Sequence, residues 1–111
     1  MDIEREELAA RLGELTVLDV RSGVEYSGEA GYPCDPRQGH IPGARHLEYT
    51  ELLGRSPEDV RELVGLPVGG EVVAYCHVGN RSGIAVEALR AAGYDARNYV
   101  GSWHEWSRAV S

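Results

Sequence analysis

The chain has 111 residues, of which 42% are hydrophobic and 26% charged, a composition suited to one globular domain over residues 1–111 with a single core. Its formal charge of −7 argues against nucleic acid or an anionic membrane surface as a partner. No apolar stretch is long enough to span a bilayer, and the acidic start at residues 2–7 is unlike a signal peptide, so the default expectation is cytoplasmic.

In chain order, apolar residues at 3, 8, 9 and 12 share a helical face, and Gly13 is a plausible stop. Residues 16–20 form a short β-rich run. Ser22 and Glu25 have capping-box spacing and predict a brief helical turn. Residues 28–39 are rich in Gly and Pro and read as loop. Residues 44–47 suit a short strand. Ser56, Pro57, Glu58 and Asp59 supply an N-cap, a first-turn proline and an acidic first turn, for a helix to Val64 that Gly65 and Pro67 end. Residues 72–75 are a fully apolar strand. Ser82 reads as the N-cap of a helix running to Gly93, with Ala85, Ala88, Leu89 and Ala92 as a small-residue stripe and Glu87 and Arg90 spaced to pair. A last strand is expected at 96–100 and a last helix at 103–110. Strands alternating with helices predict a parallel sheet covered on both faces.

Cys76 stands where the apolar strand ends and a helix begins, which is where such sheets place ligands. Unpaired N–H groups and the helix dipole favour negative charge there and lower a thiol pKa. The segment His77, Val78, Gly79, Asn80, Arg81 and Ser82 is the candidate substrate-binding loop. Gly79 permits a tight curl, the backbone of Val78, Gly79 and Asn80 offers N–H groups, Arg81 offers a guanidinium for an anion, and His77 can add charge when protonated. Four residues separate Cys76 from Arg81. Loops of the tyrosine-phosphatase type have five, so this cradle suits one added sulfur better than a phosphate.

This run resembles the active-site loop of the rhodaneses, a family of sulfurtransferase domains. The resemblance extends to residues 18–21, with their Asp19-x-Arg21 turn, to residues 39–44, with Gly39, His40, Ile41, Pro42, Gly43 and Ala44, and to residues 98–106. It implies a rhodanese-like three-layer α/β fold with a central, mostly parallel sheet. It also implies double displacement without metal or organic cofactor. The Cys76 thiolate would take the outer sulfur of a donor such as thiosulfate, then pass it from a persulfide to cyanide, a small thiol or a thioredoxin-like protein. The alternatives are a non-catalytic binding module of the same family, or a phosphatase or arsenate reductase of the same fold.

Other residues carry plainer expectations. Asp19 and Arg21 are expected to hold loops in register, Trp106 to be core, Trp103 to line the approach to Cys76, and Glu105 to brace a turn. The loop at 28–38 is longer than in many single-domain rhodaneses and resembles the catalytic second domain of tandem ones. It is expected to act as a flap that carries Cys34, a candidate resolving thiol. Cys34 and Cys76 do not suggest a structural disulfide. A hydrolase triad finds no orienting Asn or Asp for His40, His46, His77 or His104, and no C-x2-C or H-x3-H spacing announces a metal site.

Overall fold

The computed structural model describes residues 2–109 of the chain. Its elements in order are helix α1 (Arg5–Ala10), strand β1 (Thr16–Asp19), helix α2 (Gly23–Ser27), strand β2 (Arg45–His46), a 3-10 turn (Tyr49–Glu51), helix α3 (Pro57–Val64), strand β3 (Glu71–Tyr75), helix α4 (Asn80–Ala91), strand β4 (Asp95–Asn98) and helix α5 (Ser102–Ala109). The four strands form one parallel sheet in the order β2-β1-β3-β4.

Period-two alternation along β1 and β3 sorts the apolar residues onto two faces. Leu18, Val72 and Ala74 join Val60 and Val64 of α3 and Ala85, Val86 and Leu89 of α4 in one core. Val17, Val73 and Tyr75 join Leu8 of α1 and Trp103 and Trp106 of α5 in the other. The result is three layers, α3 and α4 on one side of the sheet and α1 and α5 on the other. A sheet buried on both faces needs near-continuous apolar strands, and β3 has one at residues 72–75.

Ser56 caps α3 by accepting from Asp59 N, with Pro57 at the helix start and Gly65 in a left-handed stop, as the local sequence predicts. Some boundaries differ. Helix α4 begins at Asn80 with Gly79 as its cap, so Ser82 lies inside the first turn. β4 ends at Asn98, because Tyr99 through Gly101 turn to bring in α5. Val110, placed by sequence at the end of the last helix, lies outside the described residues. Arg90 donates from Nε to the Ala96 carbonyl at 2.9 Å and so reaches toward β4.

Candidate active site

The loop that follows β3 is held mainly by main-chain groups. Cys76 is 1% exposed. Its N–H donates to Ser102 Oγ at 3.1 Å, and its carbonyl accepts from Trp103 N at 2.9 Å. Ser102 reaches this position with a left-handed backbone (φ 56°) and donates its hydroxyl to the Tyr99 carbonyl at 2.8 Å. Gly79 has φ 96°, and a Cβ there would stand 3.0 Å from both Cγ1 and O of Val100, so only glycine fits.

The chain thus turns donors onto the sulfur. Gly79 N lies 3.1 Å from Sγ, Ser82 N 3.4 Å and Ser82 Oγ 3.4 Å. Burial pushes the Cys76 thiol up, but the hydrogen bond shared with the Ser82 hydroxyl and those from the Ser82, Gly79 and Val78 N–H groups outweigh it, so the thiol lies below its ordinary value. This explains why Ser82 is not the helix cap. Its hydroxyl is used by Sγ and by Asn98 Oδ1, to which it donates at 2.7 Å. Asn98 Nδ2 in turn donates to the Gly79 carbonyl at 3.2 Å.

Arg81 occupies the first turn of α4, where the helix dipole disfavours a cation. Glu25 offsets this, accepting from Nη1 at 2.9 Å and Nη2 at 3.1 Å. Those contacts and the nearby Cys76 sulfur hold Arg81 above its ordinary value despite partial burial. Burial raises the Glu25 carboxyl, but Arg81 and both donors of Ser22 bring it down to about 2. One carboxylate therefore serves the Ser22 capping box and the arginine. Glu25 thus holds two of the Arg81 N–H groups, and the others remain for an anionic sulfur donor. Val78 is exposed, and Asn80 opens the helix.

His77 is buried against the flap. Tyr32 stacks on it with ring centroids 3.7 Å apart, and its Nε2 lies 3.0 Å from Asp35 Oδ2. Burial lowers the imidazole more than Asp35 raises it, so the ring favours the neutral form. The flap is anchored to α5. Arg37 donates to the carbonyls of Ser107 and Trp106, both at 3.2 Å, and Trp103 Nε1 donates to the Arg37 carbonyl at 2.9 Å. Trp103 is consequently a buried anchor, 3% exposed, and not a wall of the approach. Beside the loop lies a cleft of about 230 Å³ lined by Glu25, Gly31 and Tyr32.

Supporting residues meet most of their expectations. Arg21 grips Asp19 through Nε and Nη2 and also donates to the Gly39 carbonyl, while Tyr75 Oη donates to Asp19 Oδ2 at 2.7 Å. Trp106 is core, and Glu105 accepts from Tyr99 Oη at 2.7 Å. His40 bonds the Tyr26 carbonyl and His46 the Arg21 carbonyl, which commits both to structure. Cys34 and Cys76 are both free thiols, Cys34 exposed and Cys76 buried. Sequence reasoning missed Asn98, Ser102, Tyr32 and Asp35. Only the first two had a signal, since they fall within the motif at residues 98–106.

Comparison with known proteins places this geometry among relatives. Residues 4–109 match the Rhodanese-like domain family. A probable 3-mercaptopyruvate sulfurtransferase of Pseudomonas aeruginosa is 39% identical over 94% of this chain and 40% of its own length. The thiosulfate sulfurtransferase of Azotobacter vinelandii is 35% identical over 92% of this chain and 41% of its own. A crystal structure of a probable thiosulfate sulfurtransferase superposes with a TM-score of 0.86 at 46% identity, covering 96% of this chain and 44% of that one. The chain spans about two fifths of the length of these relatives. No helix among the described residues is long and apolar enough to cross a membrane.

Proposed function

This chain belongs to the rhodanese-like domain family, and from that premise we propose that it is a sulfurtransferase in which Cys76 carries sulfur between an anionic donor and a thiophilic acceptor. The observation that carries the reading is the pair of main-chain donors on Sγ: the N–H groups of Gly79 and Ser82, both within 3.4 Å of a sulfur that is 1% exposed. They stabilise the thiolate without a neighbouring base. The same donors suit the terminal sulfur of a persulfide, which also carries negative charge.

The chemistry balances without an oxidant. The Cys76 thiolate attacks the outer sulfur of thiosulfate, forming a new S–S bond as the old one breaks and sulfite leaves with the electron pair. Cyanide, or a thiolate on a small molecule or a thioredoxin-like protein, then attacks the outer persulfide sulfur. Thiocyanate or a new persulfide leaves, and the Cys76 thiolate returns. This is covalent catalysis that divides one transfer into two steps. Thiosulfate is favoured over mercaptopyruvate as donor because Arg81 stands in the loop and a guanidinium can contact two oxygens of a sulfonate at once. His77, Val78, Gly79, Asn80 and Ser82 complete the donor site, mainly through their backbones.

Intact-protein mass measurement after incubation with thiosulfate, without reductant, tests the reading. Wild type should gain one sulfur and lose it to cyanide with release of thiocyanate, while Cys76→Ala should gain none. Folded wild type that stays unmodified by thiosulfate, mercaptopyruvate and polysulfide would leave the non-catalytic binding module as the better reading.

A further inference from the structure

Outside the sulfur cradle, the flap, the loop and α5 bring four metal-ligating residues together. Cys34 Sγ, an Asp35 carboxylate oxygen and one ring nitrogen each of His77 and His104 lie within 4.8 Å of one another. The side chain of Asp35 is 1% exposed and that of His77 10%. Asp35 Oδ2 and His77 Nε2 are both buried without a hydrogen-bond partner. They face each other at 3.0 Å, but not in hydrogen-bond alignment, so neither atom satisfies the other. Two buried polar atoms left unsatisfied side by side are costly, and a shared cation would satisfy both.

We propose that Cys34, Asp35, His77 and His104 form a binding site for a zinc-class divalent cation that ties the flap to the active-site loop. One thiolate, one carboxylate and two imidazoles are a zinc donor set. Tetrahedral coordination with bonds of about 2.0–2.3 Å sets donor atoms roughly 3.3–3.8 Å apart. His104 Nδ1 lies 3.3 Å from Asp35 Oδ1, and Cys34 Sγ lies 4.0 Å from the same oxygen. Small side-chain adjustments therefore close the site. Binding displaces the Cys34 thiol proton to solvent.

A cation already stands at the mouth. Arg108 Nη1 lies 2.9 Å from Asp35 Oδ1 and 3.1 Å from His104 Nδ1. Its side chain is 38% exposed and is also held by the carbonyls of His104 and Cys34. The guanidinium competes with the metal for one carboxylate oxygen and one imidazole, and it can swing outward when the metal enters. The four ligands come from three separate segments, so no short spacing motif marks them in the sequence.

The site does not depend on sulfur transfer, and its test avoids the catalytic thiol. Cys76→Ser protein, checked for folding by circular dichroism, is titrated with cobalt(II) and then zinc. One cobalt should bind per chain with a thiolate-to-cobalt absorption band, and zinc should displace it. Adding Cys34→Ser should abolish the band, and adding His104→Ala should weaken binding by more than the about 10–100-fold that outer-shell changes cost. Adding Arg108→Ala should tighten it. No thiolate band on folded Cys76→Ser protein, a band that survives Cys34→Ser, or binding that appears only with Arg108→Ala would each overturn the proposal.

Discussion

The Cys76 loop and the flap pack against each other where Tyr32 stacks on His77, yet they are built by different means. The loop is shaped by main-chain groups: Gly79 N and Ser82 N on Sγ, Ser102 Oγ on the Cys76 N–H, Trp103 N on its carbonyl. The flap is pinned by long side chains, Arg37 and Arg108 reaching carbonyls and Asp35, and Trp103 reaching back to the Arg37 carbonyl. Main-chain donors have few conformations to lose and point in fixed directions, which suits a charge that must be stabilised in one place. Arginine contacts at a surface are individually modest and can reform in other arrangements. On that ground the loop is expected to be the more rigid of the two and the flap the more readily opened.

The sharpest way to break this difference is Gly79→Ala. The left-handed backbone costs a side chain about 1–2 kcal/mol. Forcing a Cβ 3.0 Å from the Val100 carbonyl adds overpacking strain of about 1–3 kcal/mol. Denaturant titration should show a loss of that combined size. The alkylation profile of Cys76 against pH should move up toward that of an ordinary thiol, because a donor to Sγ is displaced. An unchanged profile would mean that the N–H groups do not set the thiol.

Next in size is Glu25→Gln, which turns a bidentate charged contact into a neutral one. A loss of about 1.5–3 kcal/mol is expected, the range for hydrogen bonds to charged groups. Arg81, released from its carboxylate, should lower the KM for thiosulfate while kcat changes less. The pH dependence has a definite sign. The folded carboxyl lies at about 2 against an ordinary 4.5, so the Glu25 contribution is complete above the ordinary value and is lost as pH falls through about 2. Acid titration of wild type and Glu25→Gln should converge in that window.

The smallest effect belongs to the flap. Arg37→Ala removes two bonds that an exposed side chain makes to α5 carbonyls; water replaces much of both, so the net cost should be about 1 kcal/mol. Alkylation of Cys76 at fixed pH should quicken as the flap opens more often, with the pH midpoint unchanged. A shift in the midpoint would mean that the flap tunes the thiol, and the distinction between the two regions would fail.

The same division decides what was legible in the sequence. The apolar run of β3, the Ser56-Pro57 helix start and the position of Cys76 are local signals, and the structure places them as read. The start of α4 was misread because serine is normally a strong cap. Here its hydroxyl is drawn away by Sγ and Asn98, partners 6 and 16 residues distant. The ion pair of Arg81 was not legible because its partner, Glu25, lies 56 residues earlier and was already explained as half of a capping box. Asp35 sits in a loop rich in Gly and Pro and meets residues 77, 104 and 108 only after folding. Pairings between distant segments leave no periodicity to read.

The bond from Cys76 N–H to Ser102 has a consequence for the order in which the protein is made. A ribosome completes β3, the Cys76 loop and α4 before it reaches Asn98, which holds Ser82 and Gly79, and Ser102, which holds the cysteine backbone. The nascent chain therefore carries an unassembled thiol from the addition of Cys76 until Asn98 and Ser102 are in place. The main-chain clasp on Cys76 closes only when the segment from Asn98 to Trp103 arrives, so translation itself times the assembly of the sulfur cradle.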